Sequence, residues 1–202
     1  MKIICIGMNY HEHIRELGSA TPTVPIFFMK PDTALLRNNE PFYLPSFSDD
    51  VQYECELVVR INRVVKAIDE KFAHRCYDEI GLGIDFTARD LQTQYKNAGL
   101  PWEICKAFDH SAAVAPQFIP KGELPEVITF TMDLNGIRKQ TGVTSDMIFG
   151  IDKVISYVSQ FITLKIGDLI FTGTPVGVET LKIGDRITAK LEGRTLLDFE
   201  IK

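Results

Sequence analysis

The stretch Tyr53-Glu54-Cys55-Glu56-Leu57-Val58-Val59-Arg60-Ile61 carries two carboxylates within an otherwise mostly apolar run. Its β-branched and apolar residues, without Gly or Pro, predict a β-strand. Because side chains two positions apart leave a strand on the same face, Glu54 and Glu56 are expected to point the same way. On an ordinary antiparallel strand that face is solvated. The alternative is a pocket in which a cation lies between the two carboxylates and offsets their repulsion.

A third carboxylate, Asp85, ends a second apolar run. Gly81 and Gly83 share its face of the expected strand, and we expect them to let another backbone or a ligand approach closely. Three converging carboxylates suit a hard divalent cation, Mg²⁺ or Mn²⁺, that keeps positions open for water or substrate. The sequence therefore offers a candidate metal site made of Asp85 and the two glutamates.

The composition narrows the class of protein. The chain has 202 residues, 45% hydrophobic and 24% charged, which are ordinary values for a globular domain. Its net charge of −5 argues against a nucleic-acid partner. The four cysteines form no C-x-x-C pair, and no apolar run has the length of a signal peptide or a membrane span. We expect a cytoplasmic protein with reduced thiols and no membrane partner.

The expected elements are mostly β, with a few helices. Helices are predicted over residues 9–18, 67–77, 87–99 and 144–161. Asn9, Thr87 and Thr144 are the expected caps of three of them, and Gly99 is an expected helix end. Asn135-Gly136 predicts a tight hairpin between two alternating strands. Regular alternation of strands and helices is missing, so the predicted class is α+β, mostly β.

Two histidines in the first predicted helix suggest different chemistry. His13 and Glu16 are three residues apart and share a helix face. A histidine paired with a carboxylate can activate water, although such a pair is more often a surface contact. His11 and His13 also form an H-x-H, which occurs in metal-binding β-barrels, but no further histidine has recognisable ligand spacing.

Two lysines and one loop are weaker candidates. Lys30 ends an apolar run, and Lys106 lies beside apolar residues. Either could reach into a site, although a solvent-facing lysine is the commoner outcome. Residues 171–178 are rich in Gly and Thr and could offer N–H groups and hydroxyls to an anion.

Seven features then occur in a recognisable order. They are G-x-N-Y-x-x-H-x-x-E at 7–16, Lys30-Pro31, Glu54-x-Glu56, G-x-D-x-T-A-R-D at 83–90, Lys106, T-S-D-M-I-F at 144–149 and T-G-T-P-x-G-V at 172–178. With these features the chain resembles the fumarylacetoacetate hydrolase family over nearly its whole length. Its T-A-R-D and L-P-W motifs are similar to those of the small acylpyruvase and oxaloacetate decarboxylase members.

The resemblance implies a rolled mixed β-sheet, or distorted β-barrel, with a few helices. It implies one catalytic domain over residues 1–202, in which residues 1–20 form a mobile lid, and a homodimer. Mg²⁺ or Mn²⁺ would be held by Glu54, Glu56 and Asp85. The implied catalytic residues are His13, Glu16 and Lys106, and the implied substrate-binding residues are Thr174, Gly173, Lys30 and Gln92.

The resemblance also implies a small-molecule 2-oxo acid as substrate. The first hypothesis is hydrolysis of an acylpyruvate, a 1,3-diketo acid, to pyruvate and a carboxylic acid. Alternatives on the same metal site are decarboxylation of oxaloacetate and isomerisation or decarboxylation of an oxo-diene-dioate. A non-catalytic metabolite-binding protein is the alternative from another class. Met8 and Ala107 stand where related sequences often have Arg and Ser, and these departures concern substrate contacts.

Overall fold

A computed structural model describes residues 1–18 and 20–202. The strands are β1 (Ile3–Gly7), β2 (Ile26–Lys30), β3 (Leu35–Leu36), β4 (Val51–Gln52), β5 (Cys55–Ile61), β6 (Tyr77–Asp85), β7 (Thr87–Ala88), β8 (Ala112–Val114), β9 (Ile119–Pro120), β10 (Thr129–Leu134), β11 (Ile137–Val143), β12 (Leu169–Phe171), β13 (Arg186–Leu191) and β14 (Arg194–Glu200). The helices are α1 (His11–Glu16), α2 (Glu70–Ala73), α3 (Arg89–Ala98), α4 (Glu103–Lys106) and α5 (Ile151–Phe161).

The largest sheet brings the predicted carboxylates together. Its order is β2-β1-β12-β5-β6-β8-β3, with β9 also paired to β6. The β1–β12 and β3–β8 pairs are parallel and the other pairs antiparallel. In the β5–β6 register Glu56 lies opposite Gly83, and the N–H of Asp85 donates to the carbonyl of Glu54 at 2.8 Å. The end of β6 therefore lies beside the start of β5.

A second, four-stranded sheet has the order β11-β10-β13-β14. The predicted hairpin is confirmed as β10 and β11, and both turn residues have positive φ, 54° for Asn135 and 78° for Gly136. Positive φ at both central positions is the geometry of a type I′ turn. The predicted class is confirmed: the chain is α+β and mostly β, with a curled mixed sheet.

Three predicted helix starts are wrong. α1 is preceded by Tyr10 rather than by Asn9 as its cap, α3 by Ala88 rather than by Thr87, and α5 by Gly150. Residues Thr144–Asp146 form only a 3₁₀ turn. The helix predicted over 67–77 is reduced to α2, because Tyr77 already belongs to β6. Gly99 ends α3 with φ 66°, as predicted.

Gly81 and Gly83 were expected to let another backbone or a ligand approach, but they lie against aromatic side chains. A Cβ atom at Gly83 would lie 2.4 Å from the ring of Phe171, and one at Gly81 would lie 3.0 Å from the ring of Phe118. The two glycines therefore make room for aromatic side chains of the core, not for a ligand or another backbone.

The first strand limits where a lid could be. β1 is fully buried up to Ile6 and lies between β2 and β12 in the main sheet. The lid predicted over residues 1–20 stays a prediction, and α1 is the part of that range that follows β1; position 19 is outside the described residues. Across residues 1–18 and 20–202, no helix is both long and apolar enough to cross a lipid bilayer.

Candidate active site

Glu54, Glu56 and Asp85 form a buried cluster. Their side chains offer one oxygen each within 4.8 Å of one another, and the residues are 6%, 1% and 1% exposed. The interpretation of Glu54 and Glu56 as a solvated strand face is therefore wrong. Burying three carboxylates is strongly unfavourable unless positive charge lies close to them.

Lys106 supplies part of that positive charge. Its ammonium lies 2.9 Å from Glu54 Oε2 and 3.0 Å from Asp85 Oδ2, and it donates to the hydroxyl of Thr87 at 2.5 Å. These contacts use the three N–H donors of a lysine. Burial alone would lower the pKa of Lys106, but Asp85 and Glu54 outweigh it, so the pKa lies above its usual value. Lys106 is therefore a charged bridge between two carboxylates.

Lys30 is also buried, contrary to the commoner outcome for a lysine. Its ammonium lies 2.6 Å from Asp85 Oδ1, an ion pair without the alignment of a hydrogen bond. It donates to the carbonyls of Ser111 at 2.6 Å and Phe86 at 3.3 Å. Lys30 therefore reaches the carboxylate cluster.

Arg89 is a site residue that the sequence interpretation missed. At the start of α3, it donates to Glu54 Oε1 at 2.5 Å, to Gln92 Oε1 at 2.6 Å and to Gln52 Oε1 at 2.8 Å. Burial raises the pKa of Glu54, but Lys106 and Arg89 overcome that effect and hold the pKa well below its usual value. The signal in the sequence was the arginine of the T-A-R-D motif, which follows shortly after Asp85 at the end of β6.

Glu56 is the carboxylate without a cationic partner among the described residues. Among those residues, the only hydrogen bond to the Glu56 side chain comes from the backbone N–H of Gly173, which donates to Oε2 at 2.5 Å. Burial, together with the charges of Asp85 and Glu54, raises the pKa of Glu56 well above its usual value. The cluster thus lacks positive charge at Glu56 and offers oxygen atoms only. This donor set fits Mg²⁺ or Mn²⁺.

One N–H of the Gly- and Thr-rich loop, that of Gly173, donates to the side chain of Glu56, and binding of a separate anion by this loop stays a prediction. Gly173 has φ 97°, and a Cβ there would lie 2.7 Å from the Cβ of Asn9. The next residue, Thr174, donates to the carbonyl of Cys55 at 2.9 Å. Gly173 and Thr174 therefore lie against β5, which contains Glu56 and begins directly after Glu54.

Gln140 is a second residue that the sequence interpretation missed. It is 1% exposed, and its amide nitrogen donates to Thr174 Oγ1 at 2.9 Å and to the carbonyl of Pro175 at 2.8 Å. The signal was its position in the predicted hairpin, where it pairs with Met132, a fully buried residue. A polar residue opposite an inward-facing one is expected to have buried partners.

His13 and Glu16 form the predicted pair. His13 Nδ1 lies 2.8 Å from Glu16 Oε2, and Glu16 Oε1 accepts from the N–H of Gly177 at 3.1 Å. His13 is 4% exposed, whereas Glu16 is exposed, so the pair joins a buried ring to a carboxylate at the surface. The carboxylate fixes the orientation of the ring and leaves Nε2 for other partners.

Some of these groups line one small cavity, whereas Glu56, Asp85 and Thr174 lie outside its lining. The space, about 20 Å³, is lined by His13, Glu54, Gln92 and Lys106, among others. A cleft of about 560 Å³ is lined by His11, Glu12 and Arg15 instead. Helix α1 therefore separates the carboxylate cavity from an open cleft.

Comparison with known proteins shows the family of this chain. The profile of the fumarylacetoacetate (FAA) hydrolase C-terminal family matches residues 2–201. The chain belongs to the fumarylacetoacetate hydrolase family. Members with similar sequences include oxaloacetate tautomerase YcgM of Escherichia coli, 41% identical over 198 residues, which cover 96% of this chain and 90% of that protein. A mitochondrial oxaloacetate tautomerase of Homo sapiens is 39% identical, covering 99% of this chain and 91% of that protein.

Solved structures of the family superpose closely. Fumarylpyruvate hydrolase from Pseudomonas aeruginosa, in complex with Mn²⁺ and pyruvate, has a TM-score of 0.93 at 32% identity and covers 100% of this chain and 89% of its own. A 2-hydroxyhepta-2,4-diene-1,7-dioate isomerase from Mycobacterium marinum has a TM-score of 0.86 at 32% identity and covers 99% of this chain and 73% of its own. The relatives are enzymes with several different reactions.

Proposed function

We propose that the protein is a divalent-metal-dependent enzyme that acts on 2-oxo acids through their enol or enolate form. The first candidate for its reaction is the keto–enol tautomerisation of oxaloacetate. The observation that carries this proposal is one cavity lined by both Glu54 of the buried carboxylate cluster and His13, whose buried ring is paired with Glu16. The similarity to two oxaloacetate tautomerases supports the choice of reaction.

The carboxylate cluster would bind the metal. Mg²⁺ or Mn²⁺ held by Glu54, Glu56 and Asp85 would supply positive charge that favours the enolate of a 2-oxo acid. Lys30 and Lys106 hold Asp85 and Glu54 in place. Because the three N–H donors of Lys106 are already engaged, we assign it this positioning role; stabilising a substrate oxyanion would require it to exchange one contact.

His13 would move the proton. With Nδ1 held by Glu16, Nε2 would take the proton from C3 of the 2-oxo acid and then give it to the C2 oxygen, which completes the enol and returns His13 to its starting state. Glu16 stabilises the charged ring after proton uptake. The reaction is an isomerisation, so no other reactant is required.

Hydrolysis of an acylpyruvate is the second candidate. The same histidine can take a proton from water, which then attacks the distal carbonyl. The carbon–carbon bond breaks, and the products are pyruvate and a carboxylic acid. The similarity to a fumarylpyruvate hydrolase bound to Mn²⁺ and pyruvate favours this candidate. Decarboxylation of oxaloacetate remains an alternative on the same site, as does isomerisation or decarboxylation of an oxo-diene-dioate.

The substrate would gain access by movement of α1. A cavity of about 20 Å³ holds about one water molecule, which is less than any 2-oxo acid needs. α1 contributes His13 to the cavity and is six residues long. We propose that this helix is the mobile part of the lid. Thr174, Gly173 and Gln92 are the proposed substrate contacts nearby.

Three parallel assays test the function. Each assay is run on purified protein with Mg²⁺, with Mn²⁺ or with EDTA. Tautomerisation is followed as formation of the keto form from oxaloacetate enol. Hydrolysis is followed as release of pyruvate from acetylpyruvate, and decarboxylation as release of CO₂ from oxaloacetate. We expect metal-dependent keto formation that is fastest among the three and is lost in His13→Ala. Equal rates with EDTA, or an unchanged rate in His13→Ala, would show that the proposal is wrong.

A cytoplasmic homodimer is proposed as the working form. The four cysteines are free and buried, which suits a reducing compartment. Light scattering of the purified protein at several concentrations gives the mass, and a monomer at all of them would contradict the dimer.

A further inference from the structure

One face of α3 forms a polar wall of the carboxylate cavity. Arg89, Gln92 and Lys96 occupy positions i, i+3 and i+7 of the helix and all line the cavity. This spacing places three side chains on one helix face. Arg89 and Gln92 are bonded to each other, and Arg89 also contacts Glu54. Lys96 lies one turn beyond Gln92, at the end of the wall away from Glu54.

Lys96 is the cation of this cavity whose charge is not matched. Lys106 and Arg89 each have a carboxylate oxygen within 3.0 Å. Within residues 1–18 and 20–202, Lys96 has no carboxylate at ion-pair distance. Burial, and then the positive charges of Arg89 and Lys106, lower the pKa of its half-buried ammonium. An anion beside Lys96 would relieve both effects.

The position of Lys96 is held by an aromatic ring. Its ammonium lies 5.2 Å from the ring centroid of Trp102, within the range of a cation–π contact. The lining of the cavity also includes apolar residues, among them Met8, Leu17 and Phe28. A positively charged side chain that lines a cavity and has no carboxylate partner among the described residues is suited to select a negatively charged group.

We propose that Lys96 binds the distal carboxylate of a 2-oxo dicarboxylic acid and so makes the site selective for diacids over monoacids. This inference rests on the proposed function, because it takes the 2-oxo acid group to lie at the carboxylate cluster. It adds a specificity-determining residue and a preference for diacids over monoacids within the 2-oxo acids. The enzyme would therefore follow a reaction that produces 2-oxo diacids.

A binding measurement without turnover tests the inference. Calorimetry with Mn²⁺-loaded protein compares 2-oxoglutarate with 2-oxopentanoate, which has the same chain length but a methyl group in place of the distal carboxylate. We expect the wild type to bind the diacid about tenfold more tightly or better. Lys96→Met should lose this preference by weakening 2-oxoglutarate alone, and Lys96→Arg should keep most of it.

Two controls make the result specific. Lys153→Met removes the same charge from an exposed site that pairs with Glu70 and should change neither affinity. Lys96→Gln serves if Lys96→Met does not fold. The inference is overturned if the wild type has no preference for the diacid. It is also overturned if Lys96→Met and Lys96→Gln each weaken the binding of the two ligands equally. Failure of the proposed function would instead appear as absent turnover of oxaloacetate, which this measurement does not use.

Discussion

The side-chain oxygen of Gln140 accepts a hydrogen bond from the backbone N–H of Cys55 at 3.0 Å, between Glu54 and Glu56. Its amide nitrogen is bonded to the Thr174–Pro175 loop. One buried side chain thus joins the hairpin of the second sheet to β5 and to the loop beside it.

Gln140→Met should therefore destabilise the protein. The change leaves the N–H of Cys55 and the carbonyl of Pro175 buried without their partner, and we expect the free energy of unfolding to fall by ~1–3 kcal/mol. Urea denaturation of metal-free protein measures this, with Gln160→Met on the exposed end of α5 as control. Equal urea midpoints for the two variants would contradict the structural role of Gln140.

The His13–Glu16 pair gives a prediction about rate. His13→Ala should lower kcat/KM for oxaloacetate tautomerisation by roughly 10²–10⁴-fold, because a positioned acid or base contributes about that much. Glu16→Gln should have a smaller effect in the same direction. His11→Ala is the matched control on the same helix, because His11 is exposed and lines the other cleft. A loss in His11→Ala as large as in His13→Ala would argue against the proton-transfer role.

Glu56 gives the metal-free protein a defined dependence of stability on pH. Burial and the charges of Asp85 and Glu54 raise its pKa in the folded state, whereas a glutamate in an unfolded chain has a pKa of about 4.3. The folded state therefore holds this proton more tightly. The resulting stability is fully present below the unfolded pKa and is lost as pH rises through the folded pKa.

Unfolding free energies of metal-free wild type and Glu56→Gln, from about pH 5 to about pH 8, test this sign. The stability of the wild type should fall relative to the variant as pH rises. Ionisation of Glu54 does not contribute to the change over this pH range. Its pKa is lowered, so the stability that it provides is lost only at more acidic pH. Parallel profiles for the two proteins would mean that Glu56 does not titrate as the structure indicates.

Much of the candidate site could be predicted because strand geometry is simple. A period of two fixed the common face of Glu54 and Glu56, and the order of seven motifs linked them to Asp85 and His13. The contributions of Arg89, Gln140 and Lys96 could not be predicted in the same way. Each depends on which residues from distant parts of the chain lie around it, and the local pattern does not contain that information.

The wrong helix starts have one physical cause. Asn9 donates to the carbonyls of Phe149 and Thr172. Thr87 contacts Glu54 and Lys106, and the hydroxyl of Thr144 accepts from the N–H of Ile128. All three residues have the chemistry of helix caps, but their side chains are bonded to other parts of the fold. Tertiary contacts therefore overrode the local capping preference.

Metal titration tests the central claim most directly. Calorimetric titration of metal-free protein with Mn²⁺ and with Mg²⁺ should show one ion bound per chain and a rise in Tm that grows with ion concentration. Glu56→Gln should lose both, whereas Glu123→Gln, at an exposed ion pair with Arg194, should keep both. Absence of binding at millimolar ion, or binding that is unchanged in Glu56→Gln, would contradict the assignment of Glu54, Glu56 and Asp85 as a metal site.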